Sequence, residues 1–518
     1  MALFRSSKGK KDAEAAVLEH GRTLHEQGRY EQLIDYYEHL PYANVTPNVV
    51  ADLARAYANY ATQKADEVDA FDPLPRDLLT HAVDLMESVA DKLDDTSRAD
   101  YFLGKSLLML DLPAQARGHL EALVQAGEGG EAAQLLAYCD EMLAAPLHVT
   151  SFRERAQAAW RRLEADDAAI RRAFECGRDE EAFALVDDAL VDVTGDFLLT
   201  YNEVSNRFEL VLSPEHERLN LYKLAYFRWL APASFLEHWD IVLGLQAHDG
   251  ARYETGKRVL FSDDISVWPE FSDAEGYVTL KAYSKGLARE LAESPQVAYD
   301  AFLALADETV GEVRLMRCLD GATLLETPLE ERPMDLVELR GQLEVHLAAA
   351  SPEPLDSVDA CLDTEFAFTR MPQADGQSAD GERGDTFIGT SCCPELVDEF
   401  WDGETYLADA ALSCGIVVGW LFFPHGMPIA VGEAGEYVTQ LLDETLDALM
   451  AAIGDETALF IGESIGTTYC YIDVVVWDFG AFIEAARGVL ATMPVIDVCA
   501  FHTFRRGVAS YALKGSYR

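Results

Sequence analysis

The period of the apolar residues changes once along this chain, and that change sets its architecture. Up to about Leu190 the apolar side chains recur at three- and four-residue intervals, the spacing of one helical face. From Gly195 onward, segments such as DFLLTY and RFELVLS alternate with the two-residue period of a half-buried strand. At 518 residues the chain exceeds one ordinary domain. The shift therefore predicts a multidomain protein, with an all-α N-terminal region followed by two α+β domains of mixed or antiparallel sheets. The expected divisions are a flexible start at 1–12, helical repeats at 13–150, a helical hairpin linker at 151–194, and α+β domains at 195–348 and 357–518.

The helical region carries an internal repeat. In HGRTLHEQGRYEQLIDYYEHL, Leu18, Gly21 and Leu24 share a face, Gly28 breaks the chain, and Tyr30, Leu33 and Tyr37 form the next stripe. The same order returns at Leu53, Ala54 and Tyr57, and again at Leu103, Gly104 and Leu107 with Ala116 and Leu120. A small residue opposite a large one lets two helices approach closely. Gly21 and Ala54 stand 33 positions apart, and Ala54 and Gly104 stand 50 apart. The longer step calls for an insertion of about 16 residues, placed within Ala61 to Pro75.

These repeats resemble the tetratricopeptide repeat (TPR) family over about Ala13 to Ala145, with Tyr101 at the early aromatic position and Pro47 at a repeat-closing proline. The resemblance implies an α-solenoid whose stacked hairpins present a groove. A cation directly follows each small residue: Arg22 after Gly21, Arg55 after Ala54, Lys105 after Gly104. In the family this position faces the groove, and the next turn adds His25 and Asn59. The resemblance thus implies a protein or peptide partner, acidic by charge, touching Arg22, His25, Arg55, Asn59 and Lys105. The competing reading is a solvated helix face, since Arg and Lys are good helix formers. The full layout resembles bacterial TPR-containing proteins with tandem α+β domains and implies no particular reaction.

Charge narrows the partners. Asp and Glu number 90 against 41 Lys and Arg, a formal net charge of −49. General binding to a nucleic-acid backbone needs the opposite sign. The excess is concentrated late: Gly341 to Phe504 holds 28 acids against Arg370, Arg383 and Arg487. An acidic domain of this kind suits a basic partner, as an immunity or regulatory protein would, or simply a soluble surface. The early basic residues Arg5, Lys8, Lys10 and Lys11 are followed by Asp12 and Glu14 where a secretory signal needs an apolar run. Nine scattered cysteines suit reduced thiols, and together these predict a cytoplasmic protein. Asp409 to Glu433 encloses no charged residue, long enough for a membrane span. Pro424 and Pro428 interrupt it, so a buried strand from Gly415 to Phe423 is expected and no membrane partner.

The one literal catalytic string is Gly462-Glu463-Ser464-Ile465-Gly466. In α/β-hydrolases such a string exposes a nucleophilic serine on a strand-to-helix turn, with acid and His following in order. Asp473, Asp478 and Asp497 precede His502, so a hydrolase built on Ser464 and His502 is the alternative from a different functional class. The segment after Gly466, TTYCYIDVVVW, reads as a strand, which instead places Ser464 in a hairpin turn. Cys499 and His502 point to opposite faces of a strand, Cys392-Cys393 lacks a second pair, and Asp375 to Asp385 lacks the calcium-loop pattern. No metal or cofactor is expected. Arg383-Gly384-Asp385 reads as chance. Further along the chain, Ser213-Pro214-Glu215 reads as a capped helix start and VRLMRCL as a strand. The order hairpin, helix, strand, strand recurs in both α+β regions, through duplication or coincidence.

Overall fold

The computed structural model describes residues 2–65, 67–68, 73–93, 96–110, 112–127, 130–143, 145–272, 276–347, 353–371, 383–427, 435–506 and 508–515, with backbone alone over 2–12. The chain forms two compact units, divided between Val149 and Thr150.

The first unit is helical: α1 (Ala2–Glu26), α2 (Tyr30–Glu38), α3 (Pro47–Ala65), α4 (Pro73–Glu87), α5 (Thr96–Met109), α6 (Pro113–Gln125) and α7 (Glu131–Leu143). The start expected to be flexible is helical from Ala2. Each helix packs on the next, and α1 also meets α3, α3 meets α5 and α5 meets α7. The small residues explain the close approaches. A Cβ on Gly21 would stand 1.7 Å from the Tyr37 hydroxyl, and one on Gly104 would stand 2.7 Å from Leu120. The long step in the repeat is partly taken up by α3, which runs to Ala65; residues 66 and 69–72 lie outside the described part.

The second unit opens with α8 (Phe152–Glu175) and α9 (Asp179–Leu190), broken at Gly177 with φ +67°. This hairpin is built into the unit. Trp160 stacks on Phe227 at 4.3 Å and donates to its carbonyl, Trp239 donates to Asp167 at 2.7 Å, and the Phe152 and Arg153 amides reach the carbonyls of Gly415 and Trp477. Then come β1 (Phe197–Asn202), β2 (Arg207–Leu212), α10 (Arg218–Trp229), β3 (Trp239–Leu243), β4 (Arg252–Glu254), β5 (Val259–Phe261), β6 (Ser266–Ser272), β7 (Tyr277–Tyr283), α11 (Lys285–Glu293), α12 (Pro295–Val310), α13 (Glu312–Cys318), β8 (Leu319–Leu324) and α14 (Leu336–Leu347). These strands form sheets of order β1-β2-β3, β4-β5 and β6-β7-β8. Both three-stranded sheets are mixed, because β3 runs parallel to β2 and β8 parallel to β7.

Two expectations fail here for physical reasons. VRLMRCL is helix α13 up to Cys318: Val313, Leu315, Met316 and Cys318 are buried, and Leu315 and Cys318, three apart and so on one helical face, join the core around Phe302, a packing that overrides β-propensity. The helix expected from Ser213 begins only at Arg218: the Ser213 hydroxyl accepts from the Glu215 amide at 3.1 Å and donates to Glu312 at 2.9 Å, but Glu215 and His216 take φ of +55° and +58°, which a right-handed helix cannot include.

The last region holds α15 (Val358–Leu362), β9 (Phe366–Thr369), β10 (Thr386–Ser391), α16 (Pro394–Asp402), α17 (Tyr406–Ser413), β11 (Val417–Pro424), α18 (Glu436–Ala452), β12 (Ala458–Gly466), β13 (Tyr469–Val476), α19 (Phe479–Ala491), β14 (Cys499–Thr503) and β15 (Tyr511–Lys514). Its seven strands lie in the order β15-β14-β11-β13-β12-β10-β9, every pair antiparallel. The two α+β regions therefore do not share a sheet topology. The charge-free stretch contains β11, which lies near the sheet centre and is buried on both faces; residues 428–432 of the stretch lie outside the described part. Among the described residues no helix is long and apolar enough to cross a membrane.

Candidate functional site

In the first unit α1, α3 and α5 line a groove made of two adjoining cavities. The first, of about 380 Å³, is bordered by Arg22 and His25 of α1, Arg55 of α3 and Arg98 of α5. The second, of about 550 Å³, is bordered by Arg55 and Asn59 of α3 and by Arg98 and Lys105 of α5, with Tyr101, Phe102 and Met109 as its apolar wall. Arg55 and Arg98 belong to both. All five residues expected from the repeat pattern thus border this groove.

The helical period explains the placement. Gly21 and Gly104 pack toward the partner helix, so the residue after each, about 100° further round, turns to the other side. Gly21 leaves the Tyr37 hydroxyl room to donate to Asp52 at 2.6 Å, and Asp52 in turn holds Arg55 at 3.1 Å. His25 and Asn59 meet at 2.9 Å across α1 and α3. Among the described residues Arg22 pairs with exposed Glu19 alone, and Lys105 lies 5.9 Å from the Tyr101 ring centre. Burial, followed by a hydrogen bond to Glu131, pushes the Tyr101 hydroxyl up to about 12, so it stays a neutral donor beside Lys105. Arg98 makes no ion pair or hydrogen bond among the described residues. Sequence reasoning missed it because it follows no small residue; its seven-residue distance from Lys105, two helical turns, was the available signal.

The other candidates are not brought together. Ser464 lies inside β12 and His502 in β14, with β13 and β11 between them. Three strand spacings put their backbones about 14 Å apart. Ser464 is also not in a turn. It is buried, pairs in register with Gly389 and Tyr471, and its Oγ accepts from Arg383 Nη2 at 2.9 Å. The motif glycines supply space, not turn geometry: neither has a positive φ, and a Cβ on Gly466 would press into the Asp385 carboxylate at 2.4 Å.

Arg383 and Asp385, which read as chance, are the centre of that arrangement. The Arg383 guanidinium is fully buried, donates to Asp473 at 2.5 Å, and stands 5.3 to 5.7 Å from the ring centres of Trp420, Tyr471 and Phe504. Asp385 accepts from the amides of Thr468 and Tyr469 and from the Tyr471 hydroxyl, closing the β12–β13 turn. Burial pushes the Asp473 carboxyl above its ordinary value, against the downward pull of the Arg383 charge. Residues 372–382, most of the acidic loop, lie outside the described part.

Six of the nine cysteines are buried and none is in a disulfide. Among the described residues no three His, Cys, Asp or Glu side chains are grouped to hold a metal ion. Comparison of the whole chain with known protein families, with characterised proteins and with solved structures returns no match.

Proposed function

We propose that the first unit is a tetratricopeptide-like solenoid that binds an acidic peptide in its groove, and that the protein is a non-enzymatic, cytoplasmic scaffold. One observation carries this reading: Arg22, Arg55, Arg98 and Lys105 come from three successive odd-numbered helices and border one continuous groove. The contacts of α1 with α3, α3 with α5 and α5 with α7 are those that stacked hairpins make. In a chain of net charge −49, a local cationic surface selects acidic segments by contrast with its surroundings. The apolar wall at Tyr101, Phe102 and Met109 gives such a segment a place to bury a side chain.

The test uses labelled twelve-residue peptides of acidic, neutral and basic composition in fluorescence anisotropy with the full chain. Acidic peptides bind, and Arg98→Glu with Lys105→Glu weakens them at least tenfold while the helical circular dichroism is kept. Equal binding by the double variant, or by peptides of any charge, overturns the reading.

A further inference from the structure

In the second unit a separate cavity of about 380 Å³ lies where β2 ends, between the start of α8, the loop after α9, the first turns of α10 and the end of α17. Four charged residues border it: Arg155 of α8, Lys223 of α10, Asp192 after α9, and Glu215 in the turn just past β2. Among the described residues these four form no ion pair, with one another or with anything else. Arg155 spends its bonds on the carbonyls of Thr150 and Ser413, which fix the guanidinium and leave further N–H donors available.

The wall that carries Glu215 is strained and held from behind. Glu215 and His216 have φ of +55° and +58°, a conformation that side-chain-bearing residues adopt at a cost of about 1 kcal/mol each. The buried Glu312 carboxylate holds the turn in that shape by accepting from the Ser213 hydroxyl and from the amides of His216 and Leu245. These bonds fix the backbone of Glu215 at the rim of a cavity bordered by two cations and two anions.

We propose that this cavity binds a small zwitterion of the size of a free amino acid or dipeptide, its carboxylate held by Arg155 and Lys223 and its ammonium group by Asp192 and Glu215. Equal numbers of the two signs around one cavity match a ligand that brings one of each. This site is independent of the groove in the first unit.

The test is isothermal titration of the full chain with the twenty L-amino acids and the glycine-containing dipeptides, beside their N-acetyl and amide forms. At least one zwitterion binds saturably, and its two singly charged forms bind at least tenfold more weakly. Lys223→Met and Glu215→Gly each lower its affinity at least tenfold. Glycine is at ease with a positive φ, so Glu215→Gly also melts no lower than the wild type, which separates loss of binding from loss of fold. Arg98→Glu leaves the titration unchanged. No binding by any compound, equal binding of a singly charged form, or undiminished affinity in Lys223→Met overturns the proposal.

Discussion

Arg383 and Asp473, 90 residues apart in sequence, face each other at 2.5 Å with neither side chain exposed to solvent. A buried ion pair contributes little net stability compared with apolar residues of the same shape, but losing one member leaves an uncompensated charge. Arg383→Met and Asp473→Leu are each expected to lower the unfolding free energy by about 3 to 5 kcal/mol. The double variant loses less than either single one. Guanidinium denaturation of the three variants checks this, and an additive double variant contradicts it.

Ser464 is expected to be inert. Its hydroxyl is buried against Arg383 and its strand is three spacings from that of His502, so a fluorophosphonate probe leaves it unlabelled in the native chain. Ser464→Ala removes an acceptor from a charged donor and costs about 1.5 to 3 kcal/mol in the same denaturation experiment.

Gly21 and Gly118 respond oppositely to the same substitution. Gly118 lies on α6 with open space around it, so Gly118→Ala gains up to about 1 kcal/mol of helix propensity. Gly21→Ala drives a methyl into Tyr37, which must leave Asp52, and overpacking of this kind costs about 1 to 3 kcal/mol. The two denaturation midpoints move apart; parallel shifts refute the assignment.

Stability falls as pH rises through the range of His216. Burial pulls its pKa down, but the hydrogen bond and charge of Asp307 outweigh that and leave it above 6.5. Burial holds Asp307 above its ordinary 3.8, against the pull of His216. Both groups bind protons more tightly in the folded chain. The His216 contribution is complete below pH 6.5 and is lost as pH rises through its folded value; that of Asp307 is complete below 3.8 and is lost on the way up through its own. Urea midpoints from about pH 6 to about pH 8 decline less steeply in His216→Gln than in the wild type. An unchanged slope counts against the pairing.

The groove makes a prediction about ionic strength. Because its cations are exposed, binding of an acidic peptide weakens several-fold between about 0.05 and 0.5 M salt, where the screening length shrinks below the spacing of the charges. Affinity indifferent to salt means that the apolar wall, not the cations, holds the peptide.

The elements that were legible have local signals: the stripe of α3 at Leu53, Ala54 and Tyr57, the alternation of β1 and β2 in DFLLTY and RFELVLS, and the uncharged run that holds β11. The five groove residues followed from one periodic rule, cation after small residue. The features that stayed hidden depend on partners distant in sequence. Nothing beside Glu312 reveals that it binds a turn nearly a hundred residues earlier, so Ser213 read as a helix cap, and nothing in VRLMRCL reveals the core around Phe302 on which it packs as a helix. Arg383 looked incidental because its partners Ser464 and Asp473 lie on strands more than 80 positions later. The glycines of the motif around Ser464 drew notice for the wrong chemistry, since room for a carboxylate and room for a sharp turn are written with the same residue.

Strand β11 has a consequence for the order in which the protein acquires its shape during synthesis. Its neighbours are β13 and β14, whose last residues are Val476 and Thr503, while β11 itself ends at Pro424. An apolar segment buried on both faces in the finished sheet therefore leaves the ribosome roughly 50 residues before its first partner strand is complete and roughly 80 before its second. Through that interval neither native neighbour is available to it, and its apolar faces are open to association with other chains until they arrive.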